Sequence, residues 1–77
     1  MATYRENLDA AKEASNMGSD LPDGMADELK EVLDGWEEDY GAPGTLTPEA
    51  EAQANRELVE AINDVCTSWG YPSPCKL

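Results

Sequence analysis

Apolar side chains recur every three or four residues in the middle of the chain, which places them along one side of an α-helix. The clearest series consists of Met25, Leu29, Val32, Leu33, Trp36 and Tyr40. Gly41 follows where a helix end is expected, so we predict a helix over residues 25–40. Asp20 and Asp23 are its candidate N-cap residues. Gly35 lies inside this helix and costs it about 1 kcal/mol relative to alanine.

A second helix is predicted near the start of the chain. Thr3 and Glu6 match the capping box, in which a hydroxyl and a carboxylate bond each other's free backbone N–H groups. The predicted helix covers residues 4–17 and ends at Gly18. Its narrow apolar stripe consists of Tyr4, Leu8, Ala11 and Ala14. We therefore expect this helix to pack onto the rest of the protein as a covering element.

A third helix is predicted over residues 48–69. Thr47 supplies a cap, Pro48 suits the first helical turn, and Gly70 follows the last apolar position. Its apolar face consists of Ala54, Leu58, Ile62, Val65 and Trp69, widened by Ala61 and Cys66. Both tryptophans are expected in the core, and either one would suit a partner contact if it lay at an edge.

Together these segments predict an all-α fold, because no segment has the two-residue alternation of a strand. We expect a small three-helix bundle, or a helical hairpin with an N-terminal helical arm. An irregular proline-rich tail follows over residues 70–77, since Pro72 and Pro74 interrupt regular hydrogen bonding. With 77 residues the chain makes one domain, and a chain of this size buries only about 60% of its unfolded surface.

The charge balance restricts the partners. Seventeen acidic residues and five basic residues give a net charge of −12, which repels nucleic acid and anionic lipid and attracts basic proteins. No more than two apolar residues are consecutive, so we expect no transmembrane span and no secretory signal. A cytoplasmic location is expected, in the host cytoplasm if the protein is viral. Solubility or adaptation to high salt would explain the same acidity.

The acidic residues concentrate in the second predicted helix. On a helical wheel Asp27, Glu31, Asp34 and Glu38 fall within about 60° of each other, opposite the apolar stripe. Neighbouring carboxylates would lie about 4.5–6 Å apart along the axis, a spacing similar to that of DNA phosphates. The like-charge pairs cost about 0.2–0.5 kcal/mol each, which suggests that this face binds something positive. A solvated surface with no partner is the alternative.

This row and its neighbours form the predicted partner-binding face. Its members are Asp27, Glu31, Asp34 and Glu38, with Glu28, Glu37 and Asp39 beside them. The chain has no histidine and no glycine-rich phosphate loop, and its paired acids lack a pocket, so we expect no enzyme activity and no catalytic residues. The spacing of the acids does not match an EF-hand, and neither a cofactor nor a dedicated metal site is expected.

Cys66 and Cys75 leave three alternatives open. In a reducing cytosol they are free thiols, with Cys66 buried. A disulfide between them would close a ten-residue loop and contribute about 2.7 kcal/mol. Half of a metal site shared between two chains is the third alternative. A disulfide that forms and breaks would make the protein a thiol-regulated module.

The function expected from these features is binding. In its small size, helicity and acidity the chain resembles the inhibitors that bacteriophages make against host defence, anti-CRISPR proteins among them, or against DNA-handling machinery. That compositional resemblance implies a nucleic-acid mimic that occupies a basic groove on a nucleic-acid-binding protein or complex. The alternative is a structural or assembly subunit that oligomerises, for instance as a homodimer, through its apolar helix stripes.

Overall fold

Helices make up the regular structure of the chain. A computed structural model describes residues 3–17, 20–22 and 24–76. Its elements are α1 (Tyr4–Ser15), α2 (Met25–Leu33), α3 (Trp36–Tyr40) and α4 (Pro48–Ser68). Helices α1, α2 and α4 contact one another pairwise, and the short α3 contacts α2. The predicted all-α fold is confirmed, as a small three-helix bundle with one additional short helix.

The start of α1 follows the predicted capping box. The Thr3 hydroxyl accepts a hydrogen bond from the Glu6 N–H, and a Glu6 carboxylate oxygen accepts one from the Thr3 N–H, both at 3.2 Å. The helix ends at Ser15 with Asn16 as its C-cap, two residues before the predicted end. The expected stop at Gly18 lies outside the described residues.

The prediction of one continuous helix over residues 25–40 is wrong. Helix α2 ends at Leu33, Asp34 is extended (φ −65°, ψ 120°), and Gly35 is left-handed (φ 73°). A positive φ is strained for other residues and accessible to glycine, so Gly35 makes the break possible. A long-range hydrogen bond joins the segment after the break to α1, because the Trp36 indole N–H donates to the Tyr4 hydroxyl at 3.1 Å.

Of the two candidate caps of the second helix, Asp20 is wrong. Gly24 occupies the N-cap position of α2, and among the described residues no side chain accepts a hydrogen bond from the N–H groups there. Asp20 therefore does not cap this helix. The other candidate, Asp23, lies outside the described residues.

Helix α4 closely matches its prediction. The Thr47 hydroxyl accepts a hydrogen bond from the Ala50 N–H at 3.2 Å, Pro48 is the first helical residue, and Trp69 is the C-cap. Residues 71–76 have no regular structure, as expected, yet they fold back onto the bundle. The Tyr71 N–H donates to the Cys66 carbonyl at 2.8 Å, which turns the tail at the end of α4.

The core lies between α1, α2 and α4. Its buried members are Tyr4, Leu8, Ala11, Met25, Leu29, Trp36, Ala54, Leu58, Val59, Ile62, Cys66 and Cys75. Three of them come from α1, so this helix contributes to the core and does more than cover it. Tyr40 is exposed and stacks on Trp36 with 4.2 Å between ring centroids, and Trp69 is half-buried.

Candidate functional site

The seven carboxylates of the predicted face lie on two helices and the break between them. Asp27, Glu28 and Glu31 are on α2, and Asp34 is its C-cap. Glu37, Glu38 and Asp39 are on α3. All of them are exposed except Glu37, which is half-buried. We refer to these seven residues as the acidic face.

The expected straight row of carboxylates is interrupted. Asp27 and Glu31 still occupy i,i+4 positions of one helix, α2. Asp34 and Gly35 leave the helical conformation, so the regular spacing along one axis does not extend to Glu38. The prediction of an evenly spaced, phosphate-like line is therefore wrong, because it depended on a continuous helix.

Two members of the acidic face are engaged within the protein. Glu37 forms an ion pair with Lys12 of α1. A Glu28 carboxylate oxygen accepts a hydrogen bond from the Trp69 indole N–H at 3.1 Å. The remaining side chains make no hydrogen bond or ion pair with any described residue, and they are Asp27, Glu31, Asp34, Glu38 and Asp39.

Positive charge borders one edge of the acidic face. An open groove of about 520 Å³ lies between α1 and α2, and Lys12, Lys30, Glu31 and Asp34 all line it. Lys12 is already paired with Glu37, so Lys30 is the cation on this edge without an ion-pair partner among the described residues. The acidic face is therefore less uniformly negative at this edge than on the helical wheel.

The two cysteines are free thiols in the structure, and both are buried. Burial raises the pKa of the Cys66 thiol. Burial, together with repulsion from Cys66 when that thiol is ionised, raises the pKa of Cys75 to about 11. Such thiols stay protonated at neutral pH, and a protonated thiol is a weak nucleophile and a poor metal ligand. Within residues 3–17, 20–22 and 24–76, no three Asp, Glu, Cys or His side chains are grouped suitably for a metal ion.

Asn7 is a buried polar residue that the sequence analysis missed. Its amide nitrogen donates to the Asn55 side-chain oxygen at 2.6 Å and to the Lys76 carbonyl at 2.8 Å. Its amide oxygen accepts from the Lys76 N–H at 2.9 Å. The burial of Asn7 was predictable from its position, three residues after Tyr4 and four before Ala11. That spacing places Asn7 on the buried side of α1.

An apolar groove is lined by the end of α1, the first part of α2 and the tail. Its lining includes Met17, Leu21, Met25, Leu29, Tyr71 and Pro72, and it encloses about 290 Å³. None of the charged residues that the structure describes lines it. Sequence patterns do not indicate this groove, because its walls come from three separate segments. We refer to it as the methionine groove.

Comparison of the chain with models of known protein families, with curated proteins and with solved structures gives no match. In the described part of the chain, no helix has the length and apolar character needed to cross a membrane. Functional inference therefore depends on the surface features above.

Proposed function

We propose that the chain is a non-enzymatic interaction protein whose acidic face binds a basic groove on a target that normally holds nucleic acid. In this role it acts as an inhibitor or nucleic-acid mimic of the kind that phages direct at host defence. The observation that carries the proposal is the set of five exposed carboxylates without a partner among the described residues, on a chain of net charge −12. Unneutralised charge of one sign favours a partner of the opposite sign.

The bend between α2 and α3 changes what the partner must match. Because the carboxylates follow two helix directions, they suit a curved basic surface better than a straight one. Charge attraction of this type accelerates association and weakens as salt screens the charges, over about 10 Å at 0.1 M. We therefore expect target binding to be fast at low ionic strength and strongly salt-dependent.

The test compares two variants with equal net charge. The face variant D27N/E31Q/D34N/E38Q and the control variant D9N/E13Q/E60Q/D64N each remove two aspartates and two glutamates, changing the net charge from −12 to −8. The control positions are exposed and lie on α1 and α4. A target is first captured from lysate at low salt on the immobilised wild-type protein and released with duplex DNA. Its affinity is then measured for all three proteins.

The face variant is expected to lose at least tenfold in affinity, whereas the control variant should lose much less. Circular dichroism of both variants should show the wild-type helical signal. Equal losses by both variants would assign the binding to overall charge and contradict a specific face. Unchanged binding by the face variant would also refute the proposal.

A second candidate function is an assembly subunit. It is favoured by the exposure of three large apolar side chains, Met17, Tyr40 and Tyr71. Analytical ultracentrifugation across protein concentration and salt discriminates between the two functions. A concentration-dependent dimer that salt does not weaken supports assembly, and a monomer that captures basic proteins at low salt supports the acidic inhibitor.

A further inference from the structure

We propose that the methionine groove is a second binding site, which receives a large apolar side chain from a short, positively charged segment of a protein partner. This site is separate from the acidic face, since none of the seven carboxylates lines it. The inference therefore stands or falls independently of the function proposed above.

Exposed apolar surface is concentrated at this groove. Of the three large apolar side chains that are exposed in the described part of the chain, Met17 (44%) and Tyr71 (39%) both line it. The fully buried side chains of Met25 and Leu29 also contribute to its lining, with 1% and 0% exposure. Grouped exposed apolar side chains mark binding surfaces, whereas isolated ones are normal on any protein.

The tail holds one wall of the groove in place. The Tyr71 N–H donates to the Cys66 carbonyl at 2.8 Å, and the Tyr71 hydroxyl donates to the Asp20 carbonyl at 3.4 Å. At the far end of the tail, Asn7 bonds both the N–H and the carbonyl of Lys76. A wall fixed at both ends is already formed before binding, which lowers the entropic cost of receiving a ligand.

The size of the groove favours a short segment over a second copy of the chain. Its volume of about 290 Å³ is at the lower limit of sites for small molecules, which range over roughly 300–1,000 Å³. Nine of the described residues line it, whereas a stable dimer uses about 20–30 residues on each side. A groove of this size has room for one or two apolar side chains, and methionines form part of its lining. It therefore suits the anchor residue of a peptide, because methionine side chains adapt to the group that they contact.

Charge complementarity selects a basic segment. The net charge of −12 repels an acidic peptide, and it equally repels a second copy of the same chain. All lysines and arginines of the chain lie in its described ranges, and none of them lines the groove to offset this field. The exposed acidic residue Asp20 adjoins the groove, because its backbone carbonyl accepts a hydrogen bond from the Tyr71 hydroxyl. The occupant therefore combines positive charge with an apolar anchor.

The test uses three synthetic peptides of twelve residues. The first carries leucines at helical spacing among lysines, the second replaces the lysines with glutamates, and the third replaces the leucines with serines. Isothermal titration should show that the first peptide binds at least tenfold more tightly than either of the others. If the serine peptide binds as well as the leucine peptide, no apolar anchor is involved and the proposal is overturned.

Two substitutions then locate the site. Met17→Gln changes the groove wall to a polar side chain of similar length without altering charge, and Tyr40→Gln is the control at an exposed apolar residue outside the groove. The first is expected to weaken binding of the leucine peptide at least fivefold, and the second should leave it unchanged. Equal effects of both substitutions would overturn the proposal. A dimer that Met17→Gln dissociates would assign the groove to a second copy and overturn it as well.

Discussion

A single side-chain amide, that of Asn7, joins three parts of the chain. It bonds both backbone groups of Lys76 in the tail and the side chain of Asn55 on α4, while Asn7 itself belongs to α1. The carbonyl of Asn7 also accepts a hydrogen bond from the Cys75 thiol at 3.3 Å. Burying an amide is favourable only when its bonds are made, so Asn7 specifies where the tail lies.

Replacing Asn7 with alanine should therefore destabilise the fold. The N–H and carbonyl groups of Lys76, whose bonds to Asn7 are part-buried, would lose their partner, at a cost of about 0.5–1.5 kcal/mol for each bond. For a domain of this size each kcal/mol lowers the melting temperature by roughly 4–8 °C, which thermal unfolding followed by circular dichroism would detect.

Asn63 provides the matched control for this substitution. Its side-chain oxygen is buried and has no hydrogen-bond partner among the described residues. Removing an unsatisfied polar group leaves no partner unpaired, so Asn63→Ala should be close to neutral or stabilising. Equal destabilisation by Asn7→Ala and Asn63→Ala would mean that the bonds of Asn7 contribute nothing specific.

Because the Cys75 thiol is buried, we expect the protein to lose stability at alkaline pH. Its pKa rises from about 9 to about 11 on folding, so between these values the unfolded chain releases a proton that the folded protein keeps. Stability is then full below pH 9 and falls as the pH rises toward 11, by at most about 1.4 kcal/mol per pH unit.

Urea unfolding at several pH values, with a reducing agent present, measures this effect. Wild-type protein and Cys75→Ala should differ in the slope of unfolding free energy against pH over this range. The alanine variant should have the shallower slope, because it lacks the thiol whose pKa is raised by burial. Parallel slopes would show that the Cys75 thiol does not resist ionisation in the folded state.

At the scale of elements, the break between α2 and α3 is the feature that reshapes the acidic face. Local periodicity favours a continuous helix through this segment, and only Gly35 argues against it. The bonds from Trp36 to Tyr4 and from Tyr4 to the Gly41 carbonyl, at 3.1 and 2.8 Å, tie α3 to α1. These contacts between distant parts of the chain outweigh the local preference for one helix.

The substitution Gly35→Ala distinguishes a continuous helix from the broken one by the sign of its effect on the free energy of unfolding. In a continuous helix alanine would stabilise the protein by about 1 kcal/mol. In the left-handed conformation observed here it should destabilise by roughly 1–2 kcal/mol. A Cβ at this position meets no atom within 4 Å, so the cost is conformational only.

Chemical unfolding monitored by tryptophan fluorescence gives the required free energies. Gly70→Ala is the reference, because Gly70 also has a positive φ (66°) and open space around a Cβ. Both variants should be destabilised to a similar degree. A more stable Gly35→Ala protein with increased helical signal would show that α2 and α3 form one helix.

At the scale of the whole molecule, repulsion among the acidic residues opposes folding. The protein measures 36 × 22 × 16 Å, whereas charges interact over about 30 Å at 0.01 M salt and about 10 Å at 0.1 M. At low salt nearly every charge therefore acts on every other, and the net charge of −12 favours the expanded chain.

We expect the melting temperature to rise as NaCl increases from 10 to 300 mM. The face and control variants, each with net charge −8, should be more stable than wild type at 10 mM, and their advantage should shrink at 300 mM. Differential scanning calorimetry of the three proteins checks both expectations. A melting temperature independent of salt would show that the acidity imposes no cost on folding.

The sequence alone determined those features that depend on neighbouring residues. The capping box of Thr3 and Glu6, the cap at Thr47 and the turn at Gly70 are bonds and conformations within a few residues, so their patterns were readable. The all-α fold follows from the same local periodicity. The net charge of −12 is a property of composition and needs no structure.

Tertiary structure alone decided the shape of the binding surfaces. The break at Gly35, the burial of Asn7 and Cys75, and the methionine groove all depend on contacts between residues far apart in the chain. Local patterns cannot report such contacts, because their energies depend on which segments meet. The types of residue on the acidic face were therefore predictable, but their arrangement in space was not.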